Sequence, residues 1–433
     1  MHSVRLALIA SLVLPSCGDD DASLDAGFDV GLDAPAPTDT GRDAPSDAPD
    51  AGERPVVDPS CATPGCLRDV RALGDFTRAD LLPFLQDGVE IDNGYSVFVI
   101  EYATALESSL ATVAIPFPRT PPASGYAIVA NAHGTVGLDD RCTLSGTIYG
   151  SGLAGLFGAR GAIGVMPDYP GIGTAGSHPY LVAEVEGASV LDSLRAAANL
   201  ARIDGTALSR TYAVVGLSQG GHASLSAAAM HATYAPELDV RAFAAAAPAT
   251  LYLEHWRSGV GVDGSHIPLH AMLVYAFANH YEHDGPALFT TEVADRIDGV
   301  MATHCTFDFG GSVPTLDSDL GTVADGVFDD AFLSAYASGT LTDYPAIQRG
   351  FDDNRVVPFA QTAPIAIWQG DADPLVLKEL TDGVVADLRA GGMEIDYRVV
   401  EGGTHIDVAF GFVASAELRT EESTRWVLDR VYE

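Results

Sequence analysis

The sequence predicts an α/β fold: a mostly parallel sheet flanked by helices, with a mainly helical cap inserted after the sixth strand. Three observations point there. From Tyr126 to Ala247, apolar runs of strand length alternate with longer stretches of helical period, and the alternation resumes from Pro364 to Val431. Between residues 250 and 358 that rhythm is lost in a segment rich in aromatics, His and Gly. Finally, Val214-Val215-Gly216-Leu217-Ser218-Gln219-Gly220-Gly221-His222 passes from an apolar strand straight into an Ala-rich helix, with Gly-x-Ser-x-Gly at the turn.

The two ends set the compartment. Arg5 followed by the apolar run Leu6 to Leu14 reads as an export signal, too short to span a bilayer as a permanent helix. It closes on Leu14-Pro15-Ser16-Cys17, which resembles a bacterial lipobox with Pro15 as a departure from the pattern. Two outcomes follow: lipidation at Cys17, giving an outer-membrane or cell-surface lipoprotein, or ordinary cleavage near Ser16 and full secretion. Residues 18–66 read as a tether. Within it, residues 18–60 hold eleven Asp and one Glu against Arg42 and Arg54, and large apolar residues are almost absent, so the segment cannot offset the entropy of ordering. The whole chain carries a net charge of −36, which argues against nucleic acid and against electrostatic docking to anionic lipid. Any membrane contact would run through a lipid on Cys17. If Cys17 is lipidated, four cysteines remain. Cys61 and Cys66 are close enough for a local disulfide, which leaves Cys142 to pair with Cys305.

The folded part, residues 67–433, is taken in order. Residues 67–90 read as mixed structure with a short helical stretch from Asp80 to Leu85. Tyr95–Glu101 and Leu110–Pro116 read as antiparallel strands, and Tyr126–Asn131 as a short buried one. The loop His133-Gly134-Thr135-Val136-Gly137 follows. Its glycines allow close backbone approach, so the N–H of Thr135 or Gly134 can meet a developing oxyanion, with Gln219 N–H as the second donor. Ala162–Asp168 is a strand and Glu184–Ala201 a helix with an apolar face through Val185, Ala188, Leu191, Leu194, Ala198 and Ala201. Gly171-Ile172-Gly173-Thr174 lacks the Lys of a phosphate-binding loop and is set aside. Thr211–Gly216 leads into the elbow, Gly220–Ala232 is helical, and Arg241–Ala247 is the next strand. His280, His283 and Asp284 in the insertion lack a further ligand cluster and read as cap residues rather than a metal site.

After the insertion come the strand Pro364–Trp368, then Gly370-Asp371-Ala372-Asp373-Pro374-Leu375-Val376, the helix Thr381–Ala390, the strand Ile395–Val400, and Glu401-Gly402-Gly403-Thr404-His405. Ser415–Val431 reads as the closing helix. Ser218, an Asp and His405 thus stand in the order Ser…Asp…His, each just past the carboxyl end of a strand, where an open α/β sheet builds its site. A Ser hydroxyl needs an imidazole to take its proton. The imidazole needs a carboxylate to fix its tautomer and stabilise its cation. Asp373 fits the spacing of that acid; Asp371 is the competitor, otherwise a turn residue.

With His133-Gly134-Thr135-Val136-Gly137, Cys142, Asp168-Tyr169-Pro170-Gly171-Ile172-Gly173 and Gly216-Leu217-Ser218-Gln219-Gly220-Gly221-His222, the chain resembles the secretory lipase family over roughly residues 68–433. The resemblance implies an α/β-hydrolase fold with a helical cap, and carboxylester hydrolysis of ester or lipid substrates with no metal or other cofactor. Asp373 and His405 match the family's acid and base by position. The expectation is a serine-dependent lipase or esterase, acting as a monomer through an acyl-enzyme. A peptidase or acyltransferase on the same scaffold, or a non-catalytic surface-anchored binding protein, is the alternative.

Overall fold

The computed structural model describes residues 55–82, 85, 90–260, 264, 266–307, 313–409 and 420–433. The signal, Cys17 and the acidic segment to Arg54 lie outside the described residues. Residues 58–66, assigned by the sequence to the tether's end, are bound to the domain. Gly65 N–H donates to Ala103 O, and Asn199 Nδ2 donates to Gly65 O. The Cys61–Cys66 disulfide closes this short loop.

Nine strands form one sheet in the order β1-β2-β3-β5-β4-β6-β7-β8-β9. They are β1 (Leu67–Phe76), β2 (Gly94–Ala103), β3 (Ser108–Phe117), β4 (Tyr126–Ala132), β5 (Ile163–Pro167), β6 (Leu208–Leu217), β7 (Asp239–Ala246), β8 (Ile365–Gly370) and β9 (Ile395–Val400). β1, β2, β3 and β5 pair antiparallel; β5, β4, β6, β7, β8 and β9 pair parallel. β1 falls where the sequence suggested mixed structure. It is an edge strand with most side chains in solvent and two register shifts, so its alternation of apolar and polar residues is poor. Because β1 precedes the strands read from sequence, the helical insertion follows the seventh strand.

The inner parallel strands β4, β5 and β8 are buried on both faces because helices cover both. β4 is buried at all seven residues. The long helices are α1 (Ile148–Gly158), α2 (Ala183–Asp204) and α3 (Gln219–Tyr234), with α4 (Leu253–Val260), α5 (Ile267–His280), α6 (Asp330–Ser338) and α7 (Pro345–Asn354) in the insertion. α8 (Lys378–Ala390) and α9 (Thr420–Tyr432) close the chain. α2 ends on Gly205 at φ 77°, a left-handed cap that Gly adopts without strain. Small residues let α2 and α3 pack closely: a Cβ at Gly187 would meet Met230 Sδ at 2.7 Å.

The insertion has a core of its own. α5 is buried at all but one position from Ile267 to Ala278, as expected of a helix apolar around its whole circumference. Phe277, Phe328, Phe332, Tyr336 and Phe351 pack in this second cluster. A disulfide between Cys142 and Cys305 ties the insertion to the segment after β4.

That bond closes a separation of 163 residues, for which loop-closure entropy gives about 5 kcal/mol of stabilisation. Replacing both cysteines, Cys142→Ala with Cys305→Ala, should lower the urea midpoint clearly. The Cys61→Ala/Cys66→Ala pair, closing a separation of 5, should move it much less.

Candidate active site

Ser218 sits at φ 59° and ψ −115°, between the end of β6 and the first residue of α3. A non-Gly residue there stores roughly 1–3 kcal/mol of strain and persists only where its surroundings impose it. Three backbone bonds do so. Ser218 N–H donates to Ala246 O at 2.9 Å, while Ala249 and His222 N–H both donate to Ser218 O at 3.0 Å. The glycines are required by close approach: a Cβ at Gly216 would lie 2.1 Å from Gly220 O, and one at Gly220 would lie 1.9 Å from Ala132 O.

That contact brings the loop after β4 against the elbow. A Cβ built on Gly134 would lie 3.8 Å from Ser218 Cβ. The carbonyls of residues 133 to 136 are all engaged. His133 O accepts from Tyr169 Oη at 3.1 Å, and Gly134 O lies 2.6 Å from His133 Nδ1. Thr135 O accepts from Thr306 Oγ1 at 2.9 Å, and Val136 O from Thr306 N–H at 2.8 Å. The N–H groups of Gly134, Thr135 and Gln219 donate to no protein acceptor among the described residues. Of the candidate donors, then, Gly134 and Thr135 are both unspent, and so is Gln219. Asp168, buried, receives Leu144 N–H at 2.8 Å and Thr143 Oγ1 at 2.9 Å, fixing the turn that carries Cys142.

On the far side of the elbow, Asp373 follows β8 and His405 follows β9. Asp373 Oδ1 accepts from Leu375 N–H at 2.8 Å and Val376 N–H at 2.9 Å. Its Oδ2 lies 2.8 Å from His405 Nδ1. A carboxylate facing Nδ1 places the ring's proton there and leaves Nε2 with its lone pair. Asp371 is exposed and accepts from Gly402 N–H at 2.6 Å, so it braces the turn before His405 and does not reach the imidazole. A Cβ at Gly370 would lie 2.1 Å from Gly403 O, which shows how closely the two loops meet.

No motif in the chain points to the buried cluster behind Gln219. Glu186, on the first turn of α2, is wholly buried. Its Oε1 accepts from Leu181 N–H at 2.9 Å and from Gln219 Nε2 at 2.8 Å, and its Oε2 lies 2.8 Å from His222 Nδ1. His222 Nε2 lies 2.9 Å from Asn354 O, so both ring nitrogens face oxygen acceptors and the ring is a donor at each. His178 Nδ1 faces Pro170 O at 3.1 Å, and its Nε2 accepts from Gln219 Nε2 at 2.7 Å. Burial alone would raise the Glu186 carboxyl, but the neighbouring imidazoles, with the His222 hydrogen bond in direct contact, outweigh it and hold the group at about 2. The side chain of the residue after Ser218 is thereby locked to α2, and α3 to the end of α7.

Ser218 opens on a cavity of about 290 Å³, lined among the described residues mainly by apolar groups, including Trp256, Leu269, Leu375, Val376 and Leu377. Thr135 and Tyr180, whose hydroxyls lie 2.8 Å apart, form part of its wall, as do His266 and His270 of the insertion.

The family described as secretory lipase matches the chain over residues 155–431. The fold is shared with the rice cell wall degrading esterase LipA of Xanthomonas oryzae, with a TM-score of 0.70 at 20% identity, covering 85% of this chain and 99% of that one. It is shared also with lipase A of Candida antarctica in its closed state, with a TM-score of 0.60 at 16% identity, covering 86% of this chain and 83% of that one. No match was found among curated proteins.

Glu186→Ala leaves three buried donors without an acceptor and should cost about 3–5 kcal/mol, read as a lowered urea midpoint. Glu186→Gln keeps an oxygen for Leu181 and Gln219 and should cost less. Because the folded carboxyl is held at about 2 against an ordinary 4.5, its contribution is complete above about pH 4.5 and is lost as pH falls toward 2. Thermal melts across that window should fall more steeply for the wild type than for Glu186→Gln.

Proposed function

The chain belongs to the secretory lipase family and is a carboxylester hydrolase; we propose that it acts through a Ser218–His405–Asp373 triad and an acyl-enzyme. The observation that carries this reading is Ser218 held at φ 59° at the mouth of the cavity, beside unspent N–H groups. In the first half-reaction Ser218 Oγ attacks the ester carbonyl carbon, and His405 Nε2 takes the hydroxyl proton. The carbonyl oxygen becomes an oxyanion facing the N–H groups of Gln219 and of Gly134 or Thr135. The tetrahedral intermediate collapses, the alkoxide leaves with the proton from His405, and Ser218 carries the acyl group. Water then repeats the sequence and frees the acid. Asp373 holds the imidazole in the required tautomer and stabilises its cation.

The cavity of about 290 Å³ is at the small end of ligand pockets and is mainly apolar, which favours esters with a short or medium acyl chain over bulky triacylglycerols. The helical insertion supplies its far wall and acts as the cap. The family's description and two disulfides fit an exported chain. Anchoring through a lipid on Cys17 is part of the proposal. The mass of the mature N-terminus tests it, and an unmodified residue there rules it out.

Ser218→Ala and His405→Ala should each lower kcat on p-nitrophenyl esters by roughly 10⁴ or more, and Asp373→Asn by about 10⁴. Asp371→Asn should act on stability instead. A fluorophosphonate probe should label the wild type and not Ser218→Ala; a wild type that resists labelling would sink the serine mechanism.

A further inference from the structure

One wall of the cavity carries a polar group that ester hydrolysis does not use. His270 lies on α5, and its Nδ1 is 3.0 Å from Tyr336 Oη. Tyr336 is fully buried, and its hydroxyl has no second partner among the described residues. A buried hydroxyl left without an acceptor would cost about 1–3 kcal/mol, so Tyr336 donates and His270 Nδ1 accepts. Burial, and after it the neighbouring His266, pushes His270 down to about 3, so the ring is neutral. Its single proton therefore sits on Nε2. That nitrogen has no protein partner among the described residues, yet it is not one of the sealed, partnerless side-chain atoms, and the ring borders the cavity. Trp256 and His266 pack edge-on against the ring, with centroids 5.0 and 5.7 Å away, and fix its plane.

We propose that His270 is a specificity-determining residue whose Nε2–H donates to the substrate, so that the enzyme prefers acyl esters bearing an ether, hydroxyl or carbonyl oxygen along the chain. This rests on the hydrolase reading above and adds the substrate class. The cavity that His270 borders is mainly apolar, with Leu269, Leu375, Val376, Leu377 and Leu380 in its lining. A plain alkyl chain fills such a space but leaves the N–H unpaired in a dry site. An oxygen at the right depth pairs it. A site built around a donor discriminates against analogues that lack the partner, because the cost falls on the enzyme's own buried group. Tyr336 acts through His270 as a positioning residue: it selects the tautomer that puts the proton on the cavity side.

The test uses p-nitrophenyl esters of equal chain length in which one methylene at a time is replaced by an ether oxygen. For each position the ratio of kcat/KM, oxa ester over carbon ester, is compared between enzymes, which cancels the oxygen's inductive effect on the carbonyl. The wild type should show a ratio about tenfold higher than the His270→Phe/Tyr336→Phe variant at one chain position, as one hydrogen bond would give. The double change removes donor and acceptor together and so leaves no orphaned hydroxyl. His270→Gln, which can accept from Tyr336 and donate into the cavity, should restore part of the preference. Equal ratios in all three enzymes at every position would overturn the proposal and assign the N–H to the face of Trp256. Absence of turnover of every ester by the wild type would overturn the hydrolase reading, and this one with it.

Discussion

Three backbone segments of this protein meet with no space for a single Cβ between them. The end of β4 at Ala132, the last turn of β6 at Gly216 and the first turn of α3 at Gly220 approach so closely that a methyl group on either glycine would stand about 2 Å from a carbonyl oxygen. From that contact the site follows. It sets the angle at which β6 becomes α3 and so forces Ser218 to positive φ. It also lays the loop after β4 along the elbow, which brings Gly134 beside Ser218. A looser crossing would let Ser218 relax toward an ordinary helical start and would carry the two loops apart.

Behind the backbone bonds that hold Ser218, its neighbouring segments are themselves held by groups of two kinds. Glu186 works from below. A buried carboxylate beside two imidazoles is costly to desolvate and is tolerated because each of its oxygens receives a donor. Removing it would strand Leu181, which itself sits at φ 57°, together with Gln219 and His222. Thr306 and the Cys142–Cys305 bond work from the side of the insertion, where Thr306 takes two successive carbonyls of the oxyanion loop. The insertion is therefore tied to the segments around Ser218 at Thr306, at Cys305 and, through His222 of α3, at Asn354. It shapes the cavity and also fixes the groups that border it.

Much of this site was legible in the chain because its chemistry depends on residue types at fixed offsets. Gly-x-Ser-x-Gly between an apolar run and an Ala-rich run implies the elbow, and the order of Ser218, Asp373 and His405 implies which strand ends meet. The choice between Asp371 and Asp373 stayed open because two carboxylates two residues apart on a turn look alike. Only the fold shows that Asp371 is spent on Gly402. Glu186 was invisible for a different reason. The helical period marks Val185 and Ala188 as one apolar face, which sends Glu186 toward solvent, but α2 is buried at every position from Val185 to Leu194. β1 escaped notice because an edge strand with polar residues on both faces carries no period of two. The His270–Tyr336 pair was hidden because its partners lie 66 residues apart in a segment without rhythm.

The oxyanion loop shows how such a chain prepares for a charge that is not yet there. An unpartnered N–H inside a fold is ordinarily a defect, and three of them near one serine, at half-buried Gly134 and Thr135 and buried Gln219, would be paired in a fold free to rearrange. Here it cannot. The carbonyls of residues 133 to 136 are fixed by three groups: Tyr169 after β5, His133 itself and, for the last two, Thr306 of the insertion. Rotating any peptide of the loop to hide its N–H would break the bond on its carbonyl. In the proposed reaction such fixed donors would need no reorganisation when a carbonyl oxygen acquires charge, so their interaction would be strongest in the transition state. The same logic extends to His270, where a buried hydroxyl takes one face of the ring and leaves the other face's proton for whatever enters the cavity.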